Sequence, residues 1–212
     1  DSIDTQYWNS TKVSSTSSYN NWTEATLMSY LNNSYISALV INNTYDMVSD
    51  AKYYLGGYND YKITVEAMYS YERKISGSDY YYGTNPNSWT GKLGLMYVSD
   101  YGYASDSCET YKLFNGNSAT DDLKACNDTN WLYNIKQDEW LLPQKSSGSN
   151  DAYYIGDSGE VSYYSAYNNG VSRTQKKVRP VLYLKPEVKI SGGDGTSSNP
   201  YTLSISKNED TS

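Results

Sequence analysis

An α+β domain is the fold class this sequence predicts, and three observations predict it. Two short helical patterns lie within the first 75 residues, short strand patterns crowd the remainder, and a chain of 212 residues is long enough for one sizeable core. Residues 1–20 are rich in Ser, Thr, Asn and Tyr without apolar periodicity, which reads as a linker or an edge segment around Gln6–Trp8. Residues 21–190 then form the domain, and 191–212 a C-terminal turn with a last strand or tail.

The first helix runs from Asn21-Trp-Thr-Glu24 into Ala25–Leu31. Asn21 or Thr23 supplies the cap, Leu27 and Leu31 fall four apart, and Asn32-Asn33 ends it. A short helical or mixed segment over Tyr35–Leu39 leads to a β-like Leu39-Val-Ile41. Tyr53–Tyr58 reads as a strand broken by the Gly56-Gly57 pair. Thr64 caps a second helix, with Val65, Met68 and Tyr69 as its apolar stripe beside Glu66, Glu72, Arg73 and Lys74. Ser76–Thr90 is loop, and Leu93–Val98 is a buried strand. Trp140–Leu142, Ala152–Ile155, Glu160–Tyr164, Val178–Leu184 and Tyr201–Ile205 complete the strands.

Composition excludes several functions. A net charge of -7 leaves no broad basic surface for nucleic acid or anionic membrane. No run approaches the roughly 18 apolar residues of a membrane span, so no membrane insertion is expected within this segment. Asp1 in place of Met points to a processed chain or an excised domain, with any signal or anchor outside it. The aromatic content is unusual, with 26 Tyr and 5 Trp against the single Phe114. Tyrosine therefore serves both core and surface, because its ring buries apolar area while its hydroxyl seeks a partner.

Cys108 and Cys126 are the only cysteines. In an extracellular or cell-surface setting they most simply close one disulfide loop, which would contribute about 3 kcal/mol by the chain-entropy model. Two free buried thiols or a metal pair are the alternatives, the latter disfavoured because the chain has no His.

The same absence removes one tempting motif. Gly156-Asp-Ser-Gly159 matches the nucleophile tract of a serine protease, but nothing in the chain can act as the histidine base, nor is a lysine placed near Ser158. A hairpin turn is the expected role. Gly192-Gly-Asp-Gly195 is likewise a turn. Asp138 with Glu139, or Glu160, would have to supply any carboxylate hydrolase chemistry, yet they sit in no recognisable context and read as solvated charges. No cofactor is expected, with calcium in the Asp- and Asn-rich loops left open.

The C-terminal part carries the most specific pattern: Trp131-Leu-Tyr133, Trp140-Leu-Leu-Pro143, Tyr153-Tyr-Ile-Gly156, Gly159-Glu-Val161 and Val178-Arg-Pro-Val-Leu-Tyr-Leu184. This resembles the ending of bacterial C-type-lectin-like domains of the formylglycine-generating-enzyme type, including the variable proteins of diversity-generating retroelements. Leu55-Gly-Gly-Tyr58, Tyr71-Glu-Arg73, Trp89–Tyr97 and Ser99–Tyr103 resemble uncharacterised bacterial surface proteins, pilin-like or anchored, that share the ending. The resemblance implies two helices packed on a small twisted antiparallel sheet with long loops. It does not imply catalysis, since the enzyme branch needs paired cysteines late in the chain and Cys108 and Cys126 precede the C-terminal block.

From the variable-protein comparison, the expected ligand-binding face is Tyr153, Tyr154, Asp157, Tyr163, Tyr164, Tyr167, Asn168, Asn169 and Arg173, with Trp131 or Trp140 as aromatic platforms. The expected function is non-enzymatic recognition or adhesion toward a glycan or protein. The alternative is a structural subunit of a pilus or surface filament, with like subunits as partners.

Overall fold

The computed structural model describes residues 3–10, 19–41, 44–58, 63–77, 80–81, 83–109, 121–133, 137–148, 150–165 and 175–205. It is a mixed α and β structure with several small sheets and short helices. The main sheet has five strands in the order β1 (Ile3–Gln6), β8 (Lys176–Val178), β5 (Glu139–Gln144), β6 (Asp151–Ile155) and β7 (Val161–Ser165). All neighbours are antiparallel except β5 and β8, which run parallel. Three two-stranded ladders accompany it: β2 (Ala51–Tyr54) with β3 (Ser88–Gly91), β4 (Gly94–Leu95) with β9 (Pro180–Val181), and β10 (Val188–Gly192) with β11 (Thr202–Ile205).

Strand β5 is buried along its whole length, and its side chains alternate between two cores. Leu141, with Tyr153 and Ile155 of β6, joins a core containing Met68, Val98, Tyr101, Cys108 and Cys126. Trp140 and Leu142, with Ala152, join the opposite core of Trp8, Trp22, Leu27, Leu31, Tyr53 and Val178. Trp8 meets Trp22 and Trp140 edge-on at centroid separations of 5.3 and 5.8 Å. The N-terminal segment is thus an edge strand followed by a fully buried tryptophan.

Helix α3 (Val65–Glu72) forms as the sequence predicts, with the Thr64 side chain accepting from Ala67 N. The first helix does not run unbroken. Ala25 is extended, separating a 3-10 turn at Trp22–Glu24 from α1 (Thr26–Ser29), and a wide π-turn at Tyr30–Tyr35 carries the chain on towards α2 (Ser37–Ile41). Asn32 is a bracket rather than a stop. Its amide donates to Met28 O and Leu93 O and accepts from Leu93 N, fixing the helical segment to the strand region beside it. The β-like Leu39–Ile41 is consequently helical.

The expected strand Leu93–Val98 is only β4, because Asp100 Oδ2 accepts from Tyr97 N at 2.9 Å and starts α4 (Val98–Gly102). The disulfide between Cys108 and Cys126 is present, joining α5 (Asp106–Glu109) to α6 (Asp121–Thr129). Helix α6 lies where only a polar loop was expected. It buries Leu123 and Cys126, three residues apart, and carries a Lys124–Asp128 ion pair at i,i+4.

A polar network ties the N-terminal segment to the central sheet. Asn20, 1% exposed, donates to the carbonyls of Lys145, Gly148 and Asp151 and accepts from Asn85, which also donates to Gln144. Replacing Asn20 with Ala strands several buried acceptors at once. We expect Asn20→Ala to lower unfolding free energy by about 2–4 kcal/mol in urea titrations. A loss within experimental error would mean that water replaces the amide.

Candidate functional site

Tyr153, Tyr154 and Tyr163 of the expected binding face do not share one surface. Tyr153 and Tyr163 stand directly opposite each other on β6 and β7, with rings edge-on at 6.1 Å. Tyr153 is wholly buried, and its hydroxyl donates to Tyr58 O. Tyr163 is half-buried under Lys145, whose Nζ lies 3.7 Å from the ring centroid. Tyr154 points to the other side, against Trp140 and under Lys176 Nζ at 3.5 Å. Tyr164 pairs with Ala152 across the hairpin. Strand alternation is the cause, since consecutive residues take opposite faces of a sheet that is covered on both sides.

Trp140 is 1% exposed and packs in the tryptophan core, so it offers no platform to a ligand. Asp157 is exposed in the β6–β7 turn, where its carbonyl accepts from Tyr133 OH. Tyr167, Asn168, Asn169 and Arg173 lie outside the described residues. Gly156–Gly159 forms the hairpin turn, and Gly159 has φ of 87° with Asn127 occupying the space a Cβ would need. The expected solvated charge at Glu139 is instead a buried ion pair: Glu139 is 2% exposed and meets Arg179 Nε at 3.0 Å.

Trp131 behaves differently from every other tryptophan. It is 72% exposed and borders an open cleft of about 580 Å³. Two further aromatic rings, Tyr69 of α3 and Tyr103 after α4, stand on the same cleft at 46% and 44% exposure and meet edge-on at 6.2 Å. Met96, Leu132 and Val181 give it an apolar floor, with Asp100 and Arg179 as its charged groups.

The residues on either side of Trp131 are held fast. Asn130 donates to Tyr101 O and accepts from Leu132 N, while Arg179 donates to Leu132 O and to Glu139. The disulfide anchors the helix from which this loop emerges. A large apolar ring held on a clamped loop loses little freedom when a ligand covers it.

Tyr69 is fixed by Arg73, whose guanidinium lies 3.7 Å from its ring centroid and 4.6 Å from that of Tyr97. Arg73 also donates to Glu72 Oε2 and Ser99 Oγ. Glu72 is fully buried and accepts from both the amide and the hydroxyl of Ser99, so it locks α3 against α4 beneath the cleft. Burial pushes its carboxyl up to about 7, against the opposing pull of the Ser99 hydrogen bonds and Arg73. Burial also raises Asp100 and Glu139.

These features suit binding by stacking and apolar contact. The Asp100 carboxylate caps α4, and Arg179 is occupied by Glu139 and Leu132. Among the described residues no group of three His, Cys, Asp or Glu side chains is placed to hold a metal ion. In the sequence Tyr69 stands out only as part of an apolar stripe, and Tyr103 does not stand out at all. A local signal existed for Tyr69, four residues before Arg73 on a helix, but nothing in sequence joins positions 69, 103 and 131.

The sign of the pH dependence follows from Glu72. A folded-state value raised above the ordinary 4.5 means that its contribution is fully present below that value and is lost as pH rises through about 7. We expect the melting temperature to fall between pH 5 and 8, and Glu72→Gln to flatten that slope. An identical slope in the variant would show that Glu72 stays ionised against Arg73 throughout.

A scan against protein-family models and comparisons with curated proteins and with solved structures find nothing that matches this chain.

Proposed function

We propose that this chain is a non-enzymatic recognition module, secreted or displayed on a bacterial surface, that holds a glycan or protein ligand in the cleft bordered by Tyr69, Tyr103 and Trp131. The observation that carries this reading is Trp131, 72% exposed between two residues that are each clamped. Exposed aromatic anchors on rigid supports are where binding energy concentrates in recognition surfaces. The Cys108–Cys126 disulfide favours an oxidising compartment, and no helix among the described residues is long and apolar enough to cross a membrane. The proposed architecture is C-type-lectin-like, on the strength of the C-terminal motifs and the placement of short helices beside a small sheet.

Glycan and protein arrays probed with the purified chain test this. Trp131→Ala and Tyr103→Ala should each weaken capture about tenfold or more while leaving circular dichroism unchanged. Capture unaffected by both substitutions would refute the cleft as the site, and no capture on either array would refute the reading.

A second reading, as a subunit of a pilus or surface filament, draws on the C-terminal hairpin. Val188 faces Ile205 and Ile190 faces Leu203 across β10 and β11, which places four aliphatic side chains on one side. Ile190 and Leu203 remain 61% and 38% exposed, and an isolated two-stranded hairpin is marginal in water. Light scattering over rising concentration should then show association that Ile190→Lys abolishes. A strictly monomeric chain at every concentration would count against this reading.

A further inference from the structure

We propose that Lys176 and Asp138 form an intramolecular isopeptide bond that staples β8 to the start of β5, with Glu160 moving the protons. Lys176 opens β8, Asp138 immediately precedes β5 beside it, and Glu160 immediately precedes β7, one strand further across β6. Register places Trp140 beside Tyr154 and Tyr154 beside Ser162. By the two-residue period, Asp138 shares the side of Trp140, and Glu160 that of Ser162. Lys176 reaches the same side, its Nζ 3.5 Å from the Tyr154 ring centroid and 5.3 Å from that of Trp140.

Geometry and burial both favour the bond. Lys176 Nζ stands 2.5 Å from Asp138 Oδ2, which puts the nitrogen within reach of the carboxyl group it would join. The lysine side chain is 1% exposed, whereas that of Asp138 is 39% exposed. A buried ammonium is costly even when paired, and an amide removes both charges from the interior. The exposed flank of Asp138 gives the leaving water a route out. Asp157 N donates to Asp138 Oδ1 and so polarises the carboxyl group under attack.

Glu160 is built into the site. Its Oε2 is buried without a hydrogen-bond partner among the described residues, and its carboxyl lies where a Cβ on Gly156 would be. Glycine at 156 therefore makes room for it. Burial raises its proton affinity, Asp157 and Asp138 raise it further, and Lys176 opposes them.

The chemistry balances without any further reactant. A proton passes from the Lys176 ammonium to the Asp138 carboxylate, giving amine and acid. The amine lone pair forms the Nζ–Cγ bond, the Cγ–OH bond breaks as Glu160 protonates the departing oxygen, and Glu160 recovers its proton from nitrogen. One water leaves, and nothing is oxidised or reduced.

Intact mass of the full chain, denatured and fully reduced, decides the matter. The expected mass is one water below that of the sequence, with digestion yielding a reductant-resistant peptide that joins the segments holding Asp138 and Lys176. Lys176→Arg should restore the sequence mass, and Asp138→Asn should lose one ammonia instead of water. Glu160→Gln should fold by circular dichroism yet retain its full mass. A wild-type chain that keeps its full mass after prolonged incubation in the folded state overturns the proposal, leaving an ion pair only. Water loss that persists in Lys176→Arg overturns it as well, and bond formation in Glu160→Gln removes Glu160 from the reaction.

Discussion

Burial of β5 on both faces is the constraint on which the rest of this structure depends. A strand covered on both sides must send alternate side chains into two separate cores, and Trp140, Leu141 and Leu142 do so. It must also satisfy whatever polar groups lie at its ends. Glu139 at the start is neutralised by Arg179, and Gln144 at the end donates to Leu55 O and accepts from Asn85. Removing one member of such an arrangement leaves a buried charge or amide without compensation, which costs far more than the pair contributes. The Arg-Pro-Val tract at 179–181 is thus a structural fastener first. Arg179 ties β5 to the Trp131 loop, and the two residues after it form β9.

The same fastening creates the cleft. Leu132 is held by Arg179, Asn130 by Tyr101 and Leu132, and Tyr69 by Arg73, which is itself anchored to the buried Glu72–Ser99 contact. Trp131 and Tyr69 each sit beside residues whose side chains are bonded inside the protein. The rings stay exposed because their neighbours' interactions fix the backbone beneath them. The groups that hold the cleft are therefore different from those that would contact a ligand.

Much of the fold was legible in sequence where local chemistry decides structure. Thr64 predicted the start of α3, the glycine-bounded turn at 156–159 predicted the β6–β7 hairpin, and two cysteines in one polar segment predicted their disulfide. What escaped was decided by distant partners. Asn32 looks like a helix stop by propensity, yet it brackets the segment at residues 92–93, and Leu93–Val98 looks like one strand until Asp100 turns it into a helix. Helix α6 carries a weak local pattern of Leu123 and Cys126, but its covalent tie to α5 gives that pattern a core to face.

The candidate site was less legible, for a reason rooted in tyrosine itself. Counting tyrosines in a strand pair cannot separate the ring that fills a core from the ring that meets a ligand, because both occur at adjacent positions. Tyr153 buries its ring and satisfies its hydroxyl on Tyr58 O, while Tyr154, one residue on, lies under a lysine on the opposite face. Tryptophan divides in the same way. Trp8, Trp22 and Trp140 interlock in one core, whereas Trp131 stands outside it on a short loop after α6. Its indole would gain shelter only from something that fills the cleft. Since the residues flanking it are already committed to the protein, that gain would come with little ordering cost. Such pre-organisation separates Trp131 from the hairpin tyrosines, whose described rings are buried or covered by lysines.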